Sequence, residues 1–283
     1  MTKGILGIII CPMFDDNLVY SLSKDGEKKN VTVINNENNG SLISKLEKFG
    51  IEYNTIEWSD VLVRRYNPSR DEFNILILAI NLGLHSKPKE LKSKVEELTK
   101  DMAPSVDAFG FYLGMCGNYG WDIPAWSESI LGKKGTMFCD SHGNLCDDCV
   151  GAAIGGGPRY LDLQKAYTGH FYLFPAMATN FDDFMNADQA DSLATQESLT
   201  DEMREELGID PDKDGYLRWL LKLGEYKNVL KIDTGIGDRE KFDEKVNEVA
   251  KRMALGVVTA EDGWATLQPT DDIYNRCKAL LPQ

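Results

Sequence analysis

Short apolar runs of strand length recur along the chain, and polar segments with helical periodicity follow several of them. The runs are "GILGIII" at 4–10, "VTVI" at 31–34, "FNILILAI" at 73–80, "DAFGFYLG" at 107–114, "GTMF" at 135–138, "HFYLF" at 170–174 and "NVLKI" at 228–232. Several are apolar at consecutive positions rather than alternating ones, the pattern of a strand covered on both faces. Between them, "SLISKLEKFG", "KPKELKSKVEELTK" and "DREKFDEKVNEVAKRMA" place apolar residues three and four apart and open on Ser, Pro or Asp, as amphipathic helices do. Strand and helix in alternation predict an α/β fold: a wound, mostly parallel, Rossmann-like sheet with helices on both faces.

Residues 181–226 read as helical almost throughout, with a break at "IDPDKDG", and are expected to form a helical insertion between strands. A seam is expected near residue 105, at "MAPS", dividing an N-terminal lobe, 1–105, from a C-terminal lobe, 106–283. One continuous domain fits the pattern equally well. There is no internal repeat and no low-complexity tract.

Charge narrows the partners. The chain has 45 acidic and 31 basic residues and a formal net charge of -14, a field that disfavours nucleic acid and anionic membrane. The first segment, "MTKGILGIIICPMF", has a single lysine and a short apolar run. It lacks a small-residue cleavage site and the roughly 18 or more apolar residues of a membrane span, so it reads as the buried first strand of a cytoplasmic protein. A small-molecule substrate or a protein partner is expected instead, and oligomeric state is left open.

Ligand sites of open parallel sheets lie outside the carboxyl ends of the strands, and five of the six cysteines fall near such ends. Cys11 follows the first run, Cys116 ends "DAFGFYLGMCGN", Cys139 closes "GTMFCDSHG", and Cys146 and Cys149 lie in the turn and helix start beyond it. Cys277, in helical surroundings, reads as a small buried hydrophobe. In "HGNLCDDCVG" two aspartates stand between the sulfurs of a Cys-x-x-Cys. A redox dithiol needs a depressed thiol pKa, which Asp147 and Asp148 oppose; a cation reverses that balance, so metal is the stronger reading. Structural zinc takes four N or S donors and there is no second Cys-x-x-Cys, so completion must come from distant loops. Cys11, Cys116, His85 and His142 are the available donors, with His170 ranked below them. Three protein ligands and an open position make a catalytic zinc site, whereas an all-cysteine set suits an iron–sulfur cluster. The glycines of "GMCGNYG" let backbone approach a ligand, making Gly114, Gly117 and Asn118 candidate cofactor contacts.

Three other motifs are weaker. "DPDKDGYL" follows an EF-hand calcium loop through Asp210, Asp212, Asp214 and Gly215, but its twelfth position is Leu221 instead of a bidentate glutamate. "DTGIGDREKF" offers Gly235 and Gly237 before a helix, with Asp238 as the expected N-cap. "GAAIGGGPRY" is a tight glycine turn with Pro158 at a helix start and Arg159 as a structural or anion-binding residue. No full Walker or dinucleotide fingerprint occurs.

With these residues in view, the chain resembles the domain of unknown function family numbered 1638, found mainly in methanogens and anaerobic bacteria. The matching blocks are Cys11 after the first strand, "LHSKPKEL", "LGMCGN", "DDCVGAAIGGGPRYLDL", "GHFYLFPAMATNF" and "YKNVLKIDTG". The resemblance selects Cys11, His85, Cys116 and Cys149; Cys139, Cys146 and His142 match its motifs less clearly. It also implies a link to corrinoid-dependent methyltransferases of anaerobic one-carbon metabolism. The combined expectation is a zinc site ligated by Cys11, Cys116, Cys149 and His85, with Cys146 and His142 as further donors, that activates a thiol or similar small ligand in methyl transfer, as an enzyme or as a methyltransferase's accessory. An iron–sulfur or corrinoid-handling accessory protein is the alternative, and a non-catalytic binding module a further one.

Overall fold

The computed structural model describes residues 1–116, 121–185 and 198–283, with residues 85 and 86 described by their backbone alone. Two compact units emerge, one of residues 1–157 and 266–283, the other of residues 158–265.

The first unit is built on a six-stranded parallel sheet. Its strands are β1 (Gly4–Ile10), β2 (Asn30–Asn35), β3 (Asn54–Glu57), β4 (Phe73–Ala79), β5 (Ala108–Tyr112) and β6 (Gly135–Met137), in the order β3-β2-β4-β1-β5-β6. Every residue of β1, β4 and β5 is buried, the burial that consecutive apolar residues allow. The helices are α1 (Asp15–Lys24), α2 (Gly40–Lys48), α3 (Trp58–Leu62), α4 (Pro88–Met102), α5 (Ile123–Leu131), α6 (Cys149–Ile154) and, at the end of the chain, α12 (Gln268–Ala279). They cover both faces. Ile5 and Ile9 share a core with Leu91, Val95, Leu98 and Met102 of α4, whereas on the opposite face Gly110 of β5 lies between Ile8 and Cys277 of α12. Period-two alternation along each strand sorts side chains between the two layers.

The seam expected near residue 105 lies inside this unit. β5 pairs with β1 from Leu6–Ala108 to Ile10–Tyr112, so the sheet runs straight across it. The division falls instead at 157/158, and α12 returns to the first unit after the second is complete.

The second unit contains α7 (Gly157–Ala166), β7 (His170–Leu173), α8 (Pro175–Thr179), α9 (Asp201–Leu207), α10 (Gly215–Leu223), β8 (Asn228–Lys231), α11 (Arg239–Arg252) and β9 (Gly256–Thr259). Its sheet is parallel, in the order β7-β8-β9. The helical stretch expected over 181–226 accordingly lies between β7 and β8, its residues 186–197 falling outside the described ones. Asp238 caps α11 by accepting from Lys241 N (3.2 Å). In the acidic loop, Arg218 bonds both Asp210 (2.7 Å) and Asp212 (2.6 Å) while Arg252 holds Asp214 (3.1 Å). Guanidinium groups thus neutralise the carboxylates that a calcium ion would need. Arg159 donates to the carbonyl of Trp264 (2.9 Å), which is the structural use of that residue.

Among the described residues no helix is long and apolar enough to cross a membrane.

Candidate functional site

Strand order makes two crevices at the carboxyl rim of the six-stranded sheet. The chain leaves β1 toward β2 on one side and β5 toward β6 on the other, so these neighbours are continued in opposite directions; the same holds for β2, which leads to β3, and β4, which leads to β5. Such divergences are where open α/β sheets bind ligands. The β1/β5 crevice holds the thiols.

Cys11 ends β1. Its N–H donates to Tyr112 O (3.0 Å), tying the ends of β1 and β5 together, and its carbonyl accepts from Phe14 N (2.9 Å) to start the turn Pro12–Phe14 that leads into α1. Cys116 lies four residues beyond β5 and has φ +41°, a left-handed backbone that a side chain disfavours. Its N–H donates to Asp147 O (2.9 Å). Gly114 permits that approach: a Cβ there would lie 2.7 Å from Asp148 Cα. Asp148 in turn caps α6 by accepting from Gly151 N (2.7 Å), which presents Cys149 as the first residue of that helix.

These three contacts bring together cysteines that are far apart in the chain. Burial raises all three thiol pKa values, and the sulfurs feel one another. Cys11 is pushed up by burial and by Cys116 and Asp15, against a lowering backbone hydrogen bond from Met13. Cys116 is pushed up to about 12 by burial and Asp148. Cys149 is pushed up by burial, Asp148, Cys116 and Cys11. All three residues keep partial exposure, although their sulfurs are closely surrounded. None of the three is in a disulfide.

Asp15, at the first position of α1, was not among the residues singled out from the sequence. It is 1% exposed, and neither carboxylate oxygen has a well-formed hydrogen bond, although the Ser41 hydroxyl is near enough to favour its charged form. Burial lifts its pKa to about 7 against the opposing pull of Lys45. The only hint in "CPMFDD" is an acid directly after an apolar turn, which is an ordinary helix start.

The other candidate donors lie elsewhere. Cys139 and Leu145 form an antiparallel bridge, and Cys146 N donates to Phe138 O (2.9 Å), so residues 138–146 make a small hairpin. Cys146 is fully buried, and its thiol is pushed up to about 12 by burial and then by Cys139 and Asp140. The Cys-x-x-Cys is thereby split, Cys146 beside Cys139 and Cys149 beside Cys116 and Cys11. His142 is exposed at the hairpin tip, where its N–H donates to Asp140 (2.8 Å). His85 lies in the turn Leu82–Ser86 ahead of α4, its side chain outside the described residues; Gly117 and Asn118 also lie outside them. His170 opens β7, with Nδ1 3.0 Å from Thr168 O. Cys277 is fully buried against β5. Among the described residues, no group of three Cys, His, Asp or Glu side chains has the spacing of a formed metal site.

The fold and its thiol-bearing rim define an α/β protein with a wound, Rossmann-like parallel sheet. The chain belongs to the family described as "Protein of unknown function (DUF1638)", which matches over residues 79–270. That span includes Cys116 and Cys149 and begins after Cys11. No curated protein and no solved structure matches the chain at a significant level.

Proposed function

We propose that the β1/β5 rim takes up a thiophilic cation, zinc, through Cys11, Cys116 and Cys149, with His85 as the candidate fourth donor. The supporting observation is the convergence of three thiols from separate parts of the chain, with Cys116 opposing the ionisation of Cys11 and both opposing that of Cys149. Asp148 and the unpartnered carboxylate of Asp15 add to that opposition. Ionising such a group of side chains without a counter-charge is unfavourable, and a cation reverses the sign of the balance. Soft donors select a soft or borderline metal, so the donor chemistry fits the ion, while uptake has to draw the sulfurs inward from the spacing they have. Bound zinc would lower the pKa of a thiol ligand and keep it available as a thiolate. The chain's own part is to hold the sulfurs by backbone contacts and to surround them with protein. On this reading the thiol chemistry serves one-carbon metabolism, the setting that the resemblance to proteins linked with corrinoid-dependent methyl transfer suggests.

The test is elemental analysis and a visible spectrum of protein purified anaerobically without added metal. About one colourless zinc per chain, lost in Cys116→Ser and Cys149→Ser, is expected. Thiolate-to-iron absorbance would replace zinc by an iron–sulfur cluster. Metal-free protein whose three cysteines are all freely alkylated in the native state would overturn the reading.

A further inference from the structure

The second crevice, between β2 and β4, carries a site of its own, and it does not depend on the metal reading. A cavity of about 600 Å³ opens there, within the range of small-molecule pockets and at a position where α/β sheets place them. Ile34, Leu78 and Ile80 at the strand ends, Trp58 at the start of α3, and residues of α4 line it.

Both rim loops are fixed without a ligand. Asn36 Nδ2 donates to Ala79 O across the crevice (2.8 Å), and its Oδ1 accepts from Asn38 N (2.9 Å). Asn81 Oδ1 accepts from Gly83 N (2.7 Å). A site held open by its own side chains spends little ordering entropy on binding.

The polar groups around the mouth have one sign in excess. Glu37, Glu90 and Glu97 face a single ammonium, Lys94. Lys94 is held by Glu97 at 2.9 Å, and Glu90 faces Lys87 at 3.8 Å. Glu37 has no ion-pair partner among the described residues. Phosphates and carboxylates therefore meet repulsion, whereas an aromatic group rich in hydrogen-bond donors finds both a carboxylate, Glu37, and an indole, Trp58, in the lining.

We infer that this cavity binds a small aromatic molecule that carries hydrogen-bond donors and no anionic group, its ring against Trp58 and its donors on Glu37. An aromatic amine and a nucleoside share this chemistry. The experiment titrates phenethylamine, adenosine and adenosine monophosphate into the full chain, followed by calorimetry and by ligand-observed magnetic resonance. Phenethylamine or adenosine should bind with a Kd of about 1 mM or tighter, weakened about tenfold or more by Glu37→Gln and by Trp58→Leu. Binding of one alone identifies the source. Ser93→Trp, on the exposed face of α4, should fill the cavity and abolish binding while leaving both recognition residues in place. The inference is overturned if neither compound binds, if binding ignores all three substitutions, or if the monophosphate binds as well as adenosine.

Discussion

Single residues at the thiol rim are in conformations and surroundings that stability alone disfavours. Cys116 has the left-handed backbone that glycine adopts freely, and such outliers point toward function more than toward packing. Asp15 is the more testable case, because it is a carboxyl with neither oxygen bonded and almost no exposure. In the unfolded chain it ionises near 3.8, whereas in the native protein it keeps its proton up to about pH 7 because burial penalises the charge. Between those values the native state binds one more proton than the unfolded state. Stability therefore falls as pH rises through that window and levels off above it. Asp15→Asn has no proton to lose. In the metal-free protein the stability of the variant relative to wild type should grow by up to roughly 4 kcal/mol from pH 4 to pH 8, read from urea denaturation at a series of pH values. A difference that stays constant with pH would show that Asp15 is solvated or partnered in solution.

At the scale of elements, layers in this fold meet through closely fitted contacts, and the packing of β5 against α12 is the sharpest of them. Gly110 faces Cys277, and a Cβ at 110 would lie 2.7 Å from its Sγ. Gly110→Ala should destabilise by about 1–3 kcal/mol as an overpacked core position. Removing the sulfur makes room, so Gly110→Ala with Cys277→Ala should be more stable than the sum of the single effects by about 0.5–3 kcal/mol. Additive midpoints in urea would mean that the strand shifts instead. The same layering explains what was legible in the sequence. β1, β4 and β5 are buried on both faces, so their residues are apolar but for Asn74, whose buried amide is bonded to backbone carbonyls, and their limits could be read closely. β3 and β9, "NTIE" and "GVVT", are mostly exposed and lie at sheet edges, so their apolar runs are too short to mark a strand and neither was expected. The rim was partly legible for a related reason: parallel strands bring all carboxyl ends to one side, which marks Cys11, Cys116 and Cys149 as neighbours in advance. Spacing could not show that Cys146 turns back toward Cys139, because a hairpin from 138 to 146 intervenes. Asp15 was illegible for a different reason, since its missing partners are a property of the folded surroundings alone.

For the whole molecule, the chain order is that of one domain with a second inserted near its end. The first unit is left at residue 157 and re-entered at residue 266, and Thr266 N donates to Ala153 O (2.9 Å), so exit and return lie side by side. An insertion with adjacent ends adds little strain to its host, because closing the gap needs only a short connection. Replacing residues 158–265 by a Gly/Ser linker of about six residues should therefore leave a first unit that unfolds in one cooperative thermal transition and keeps all three rim cysteines. Stopping the chain at 265 should have the opposite result. It removes α12, whose Ile273, Tyr274 and Cys277 are buried, and with it the acceptor of the Asn17 amide on Thr270 (2.8 Å), the hydroxyl of Tyr274 that donates to Asp25 (2.8 Å) and the ion pair of Lys278 with Glu27 (2.7 Å). Those contacts close one face of the sheet over β5 and α1, so the truncated chain should show no cooperative transition. If the linker variant melts without cooperativity while the truncated chain retains it, the C-terminal helix belongs energetically to the inserted unit and the host domain ends at residue 157.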